Sequence, residues 1–159
     1  MQQTTRTTRS AYWLWAAGAF VLVLAATMLP TIGVVVAAPL ASLAIGAGAA
    51  WWVRGAPGAT AGRATAAAAM AGTGALLASM AAFTVFGFAL GSDPGVQEFI
   101  RGSEPHPEAR IPYAWIAPLG AFGGALVGLG VGLINLVLAG IGGLLAGIGS
   151  SRASAGRPA

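Results

Sequence analysis

The chain has 159 residues, of which 57% are hydrophobic and only 8% are charged. A soluble domain has roughly 45–50% apolar and about 25% charged residues, so this composition excludes a water-soluble globular protein. All eight basic residues are arginines scattered along the chain, which argues against nucleic-acid binding, and the lack of cysteine excludes disulfides and cysteine-ligated metals.

The amino-terminal part of the chain predicts a short polar tail and a first membrane span. Residues 1–10 are polar and contain Arg6 and Arg9, whereas residues 11–29 are apolar and open with a tyrosine and two tryptophans. This arrangement resembles a secretory signal peptide, but an apolar segment of about nineteen residues exceeds the usual length of about 7–15 residues. Because further apolar segments follow, we expect an uncleaved span.

A proline and a glycine within residues 29–33 predict a tight hairpin before a second span, residues 32–53. Pro30 removes a backbone donor and disfavours helix at the preceding residue. The alternative, one bent helix of about forty-three residues, would be roughly 65 Å long, about twice the hydrocarbon thickness. Pro39 predicts a kink in the second span. A ridge of small residues follows the same span: Ala38, Ser42, Gly46 and Ala50.

Residues 54–63 contain a proline, three glycines and two arginines, and predict a short cytoplasmic loop before a third span, residues 65–90. The inner half of this span is rich in alanine. Its outer half is bulky, with Phe83, Val85, Phe86, Phe88 and Leu90. We therefore expect the third span to pack closely against its neighbours at one end only.

The loop at residues 91–112 contains every acidic residue of the chain: Asp93, Glu98, Glu104 and Glu108. Ser92 or Asp93 can cap a short helix that has Pro94 in its first position and ends at Gly102. Three apolar residues then share one face of this helix: Val96, Phe99 and Ile100. We expect the helix to lie on the membrane surface.

Residues 113–149 carry no charge and predict the last span, either one long tilted helix or a broken one, before a polar tail at residues 150–159. Glycines recur every four residues along it, in the pattern called a glycine zipper: Gly120, Gly124, Gly128 and Gly132. On a helix these glycines form one ridge without side chains, so that a second helix can approach closely. The ridge is a seam with the chain's own spans, a seam between copies, or the lining of a pore.

Asn135 lies near the middle of the last span. An unsatisfied amide is costly there, so its side chain must face another helix, a backbone carbonyl or water. A hydrogen bond between helices is the simplest interpretation, and a ligand or pore role is the alternative.

The distribution of charge predicts the orientation. The two tails and residues 54–63 contain six arginines and no acid, whereas residues 91–112 contain two arginines and four acids. Under the positive-inside rule, both termini and the middle loop are cytoplasmic and the acidic loop is outside. This requires an even number of spans between Arg9 and Arg54, which supports the hairpin at Pro30 and a count of four spans. The lack of lysine, with abundant alanine, glycine and arginine, suits a GC-rich bacterial genome, and hence a multi-pass protein of the plasma (inner) membrane.

The remaining polar residues do not form a catalytic pattern. His106, between Glu104 and Glu108, suggests a metal site, but a single nitrogen ligand in a proline-rich loop is more often simply solvated, and we expect no metal and no cofactor. No ionisable residue lies inside a predicted span, which argues against proton-coupled transport and intramembrane proteolysis.

The sequence therefore predicts an all-α integral membrane protein with four transmembrane helices in a small bundle. The expected function is non-enzymatic: a subunit, assembly partner or scaffold whose partners are the lipid bilayer and other membrane helices, from the same or another protein. The alternative is a small channel or facilitator formed by oligomerisation of the last span.

Overall fold

The computed structural model describes residues 3–29, 33–55, 60–103 and 111–155, which form helices and short connections without a β-strand. The α-helices in these ranges are α1 (Gln3–Thr27), α2 (Ala38–Arg54), α3 (Ala61–Ser92), α4 (Pro94–Ser103) and α5 (Tyr113–Ala155). A π-helical segment, Gly33–Ala37, leads directly into α2. The predicted all-helical class is confirmed.

Three of the described helices are long and apolar enough to cross a membrane: Val35–Arg54, Ala61–Ser92 and Tyr113–Gly147. The apolar part of α1, Tyr12–Thr27, is shorter. A span of the hydrocarbon core requires about 20 apolar residues, with a range of about 17–25. The composition and length of these helices thus give the chain the character of a membrane protein.

Helices α1 and α2 run antiparallel. A Cβ atom at Gly18 would lie 3.9 Å from the Ile45 side chain, and one at Gly48 would lie 3.6 Å from the Trp15 ring. Later residues of α1 therefore face earlier residues of α2, and the chain reverses between the two helices. The predicted turn residue Pro30 lies outside the described residues.

Helix α3 contacts α1, α2 and α5, and its interface with α5 is the most extensive in the described structure. Successive contacts show that α3 and α5 are antiparallel, because Gly87 faces Gly120 and Gly72 faces Leu136. Helix α2 packs against α5 in the parallel direction, because Gly46 lies at Ala139 and the later residue Ala50 lies at Gly143. The four long helices therefore alternate in direction along the chain.

Alanine supplies most of the buried core. One cluster joins α1, α2 and α3 through Ala19, Ala49, Ala50, Val53, Ala64, Ala67 and Ala71, and a second contains Val23, Ala38, Ala75 and Ala78. Lipid tails are as apolar as these side chains, so helices in a membrane associate mainly through close contact, which small residues permit.

Burial divides the molecule into two regions. Buried residues recur along α3 from Ala64 to Ala82, but beyond them only Gly91 is buried; on α5, only Ile116 is buried before Gly128. The four-helix region, as we call it, consists of α1, α2, residues 61–82 of α3 and residues 128–147 of α5. Residues 83–92 of α3, residues 113–127 of α5 and α4 form the two-helix region.

Several boundaries differ from the predicted ones. Helix α1 begins at Gln3 and α5 continues unbroken to Ala155, so both predicted tails are partly helical, and α3 extends beyond residues 65–90 at both ends. Once a helix exists, each added residue gains a hydrogen bond, so polar residues can prolong it. Pro39 lies in the first turn of α2, where a proline is tolerated, and the change from π- to α-helix occurs there.

The predicted helix after α3 is present as α4. Asp93 Oδ1 accepts a hydrogen bond of 3.1 Å from the Val96 backbone N–H, and Pro94 occupies the first position. Gln97 Nε2 donates a 2.8 Å hydrogen bond to the Gly91 carbonyl, which holds α4 against the end of α3. Phe99 is 75% exposed.

Candidate functional site

The four ridge glycines of α5 all face α3. In chain order along α5, Gly120, Gly124, Gly128 and Gly132 lie against Gly87, Phe83, Met80 and Leu76. A Cβ atom at Gly128 would lie 2.7 Å from both Met80 Cα and the Ser79 carbonyl oxygen. These distances are too short for a carbon atom, so the two backbones approach as closely as they do because the side chains are missing.

Helix α3 contributes glycines of its own to this seam. Gly87 lies against Gly120 and Gly124, and a Cβ atom at Gly91 would lie 2.8 Å from Ala117 Cα. The expectation that α3 packs closely at its inner end only is therefore wrong for its contact with α5. The sequence does contain a pattern that predicts this close contact, because Gly87 and Gly91 are four residues apart. The bulky residues of the same half make that pattern less evident.

The predicted ridge of α2 also lies in an interface. Ala38, Ser42, Gly46 and Ala50 are all buried. A Cβ atom at Gly46 would collide with the backbone of Ala139 on α5. Helix α5 therefore has glycine contacts with two helices, α3 on one side and α2 on another.

Asn135 is fully buried and binds across the seam. Its Nδ2 group donates a 3.0 Å hydrogen bond to Ser79 Oγ on α3. Ser79 Oγ in turn donates to the Ala75 carbonyl of its own helix at 3.0 Å, a common arrangement for a serine within a helix. The structure thus places Asn135 in a hydrogen bond between two helices, the simpler of the two interpretations.

The other amide atom, Asn135 Oδ1, is buried and has no hydrogen-bond partner among the described residues. An unsatisfied acceptor of this kind costs about 1–3 kcal/mol. Part of the stabilisation that the bond to Ser79 provides is therefore offset at the same residue.

Arg54, the last residue of α2, forms a contact with α5 that the sequence does not predict. Its guanidinium Nη1 lies 3.5 Å from the Ala146 carbonyl of α5. A Cβ atom at Gly147 would lie 3.0 Å from the Arg54 Cζ atom, so the glycine makes room for the guanidinium. Because α5 continues to Ala155, the contact joins the end of α2 to a point within α5. Nothing in the spacing of Arg54 and Gly147 indicates that they meet.

No group of side chains suited to metal binding occurs among the described residues. His106, Glu104 and Glu108 lie outside them. The polar side chains buried in the described ranges are Ser42, Ser79 and Asn135, and none of these is a strong acid, base or nucleophile.

Comparison with known proteins gives no further identification. No protein-family model, characterised protein or solved structure matches the chain.

Proposed function

We propose that the protein is a non-enzymatic membrane subunit or scaffold that acts through its helix surfaces. The observation that carries the proposal is the α3–α5 seam, where glycine contacts continue from Gly132 to Gly120. A seam of this length joins α3 and α5 into one helical hairpin, and the surface of α5 away from α3 and α2 stays available to a partner helix.

The surface of α5 that faces away from α3 and α2, which we call its outer surface, has the features of a contact with another helix. A Cβ atom at Gly130 would meet no atom within 4 Å, and the same is true at Gly140. Exposed large apolar residues accompany these glycines along the helix: Leu126, Leu133, Val137 and Leu144. Small residues beside large ones allow another helix to come close in a membrane.

We further propose that α1, α2, α3 and α5 all cross the plasma membrane of a bacterium, with both termini in the cytoplasm and residues 91–112 outside. The alternating helix directions and the distribution of arginine and acid support this arrangement. The Trp15 and Trp52 rings have centroids 6.2 Å apart, and this pairing of aromatic residues from α1 and α2 supports a shared membrane interface there.

The packing does not favour the alternative, a channel formed by α5. Such a pore needs the ridge glycines or Asn135 to face a water-filled axis, whereas these residues lie against α3 of the same chain. A pore formed by α5 would therefore require α3 to separate from α5.

The mass of the complex in mild detergent tests the proposed function. We expect the full chain to run as a discrete assembly with copies of itself or with another membrane protein, and we expect Gly130→Leu to weaken that assembly without unfolding the chain. A monomer in every detergent tested, together with an unchanged mass of Gly130→Leu, would reject the scaffold.

The orientation is tested separately with single cysteines, since the chain has none of its own. In intact cells, an impermeant thiol reagent should modify a cysteine at Ser103 but not one at Thr60. Modification at Thr60 alone would invert the proposed orientation, and modification at both positions would contradict four spans.

A further inference from the structure

An apolar groove of about 440 Å³ lies in the two-helix region, between α3, α4 and α5. Its floor is the outer part of the glycine seam, and Val96 and Ile100 of α4 form one wall. Its described lining consists of glycine and apolar residues only. Phe86, Leu90 and Leu119 are 59%, 45% and 49% exposed at its edge, so the groove is open along its side. The volume falls within the range of about 300–1,000 Å³ that is usual for ligand sites.

A cation lies in the last turn of α4, the helix that forms one wall of this groove. Arg101 follows the wall residue Ile100, and its guanidinium carbon is 4.1 Å from the centre of the Tyr113 ring at the start of α5. The Arg101 Nε atom is buried and has no hydrogen-bond partner among the described residues. A buried guanidinium N–H favours an acceptor, and a phosphate group matches the fork of the guanidinium.

The length of α3 places this end of the groove near lipid headgroups. The helix has 32 residues, and at 1.5 Å per residue it is about 48 Å long, whereas a bilayer with its headgroups is about 40–45 Å thick. Helix α4 begins directly after α3, so Arg101 lies at the headgroup layer if α3 starts at the opposite surface. The open side of the groove then faces the acyl chains of the outer leaflet.

The charge of the described residues next to the groove favours one class of phospholipid. Residues 91–103 contain two acids, Asp93 and Glu98, and one arginine, Arg101, a net charge of −1. This charge repels an anionic headgroup, whereas the ammonium of a zwitterionic headgroup is attracted to the acids while its phosphate pairs with Arg101. Glu98 precedes Arg101 by three residues and therefore lies on a neighbouring part of the same helix surface.

We propose that this groove binds one acyl chain of a zwitterionic phospholipid, and that Arg101, at the end of α4, holds the phosphate of the same lipid. The inference rests on the membrane position proposed above. It gives the two-helix region a specific lipid partner, distinct from the helix partner proposed for the outer surface of α5.

Native mass spectrometry of the full chain with added dioleoylphosphatidylethanolamine tests the proposal. A Cβ atom at Gly123, which lines the groove, would meet nothing within 4 Å, so Gly123→Leu fills the groove without pushing α3 away. Gly130→Leu is the matched control, because it also points into open space but lies outside the groove lining. We expect Gly123→Leu to lower the affinity at least about tenfold, because the leucine side chain takes the space of the acyl chain and removes its van der Waals contacts with the groove, and Gly130→Leu to leave it unchanged.

Arg101→Gln tests the phosphate contact independently of the groove. It should lower the affinity for dioleoylphosphatidylethanolamine about fivefold, and should not change the affinity for dioleoylglycerol, which has the same chains and no phosphate. Dioleoylphosphatidylglycerol, which is anionic, should bind more weakly than the zwitterionic lipid.

Equal lipid binding by the two glycine variants would overturn the groove assignment, as would a change in oligomeric mass of Gly123→Leu without loss of lipid. Stronger binding of the anionic lipid, or equal losses for both neutral lipids in Arg101→Gln, would overturn the headgroup assignment. Failure of the membrane position itself is seen separately, as release of the full chain into the aqueous fraction on alkaline carbonate extraction.

Discussion

The four-helix region and the two-helix region contain the same kind of glycine contact in different surroundings. At Gly46, the contact of α2 with α5 is embedded in a bundle whose other helices fill the space around it. At Gly87, the contact of α3 with α5 has an apolar groove beside it instead. Close backbone approach thus builds a packed core where other helices cover it and leaves a surface for lipid or protein where they do not.

The largest difference between the regions is expected from a matched pair of substitutions. A Cβ atom at Gly46 would collide with Ala139, and one at Gly87 would collide with Gly120, so the local clash is similar. We expect Gly46→Leu to cost about 3 kcal/mol or more, and Gly87→Leu about 1–2 kcal/mol, because α3 and α5 can separate locally where fewer helices hold them. Thermal unfolding in one detergent measures both, and equal losses would remove the distinction between the two regions.

A smaller effect is expected from the polar contact inside the four-helix region. Asn135→Leu removes the hydrogen bond to Ser79, but it also removes the buried oxygen that lacks a described partner. Hydrogen bonds between membrane helices average about 0.6 kcal/mol, so the loss of stability should be below about 1 kcal/mol.

The Asn135→Leu variant is compared with Ser79→Ala, which removes the other partner and leaves both amide atoms unpaired in the described structure. We expect Ser79→Ala to destabilise the protein more than Asn135→Leu does, because a buried polar group without a partner costs more than its removal. The reverse order would mean that Asn135 has a further partner.

The sequence predicted the helical class and the residues of the α5 ridge because glycine spacing reports which face of a helix lacks side chains. It did not identify the neighbour of that face. The phenylalanines of α3 predict loose packing of its second half, whereas Gly87 and Gly91 determine how closely it approaches α5. Spacing describes one helix at a time, and the match between two ridges appears only when both are compared.

For a related reason, the sequence does not predict the groove or the contact of Arg54 with Ala146. Both depend on where one helix ends relative to another, and helix ends are the least certain part of a prediction from sequence. Helix α4 was predicted from Asp93 and Pro94, but its position follows from the hydrogen bond of Gln97 to the Gly91 carbonyl. No local pattern indicates that bond.

The most direct test of the account is the thermal unfolding of Gly128→Leu against Gly130→Leu. Gly128 lies where the two regions meet, and its Cβ atom would be 2.7 Å from Met80 Cα, whereas a Cβ atom at Gly130 meets nothing within 4 Å. We expect Gly128→Leu to lower the melting temperature by about 5–10 °C in detergent and Gly130→Leu to leave it nearly unchanged. Equal melting temperatures would show that the α3–α5 seam does not hold the protein together.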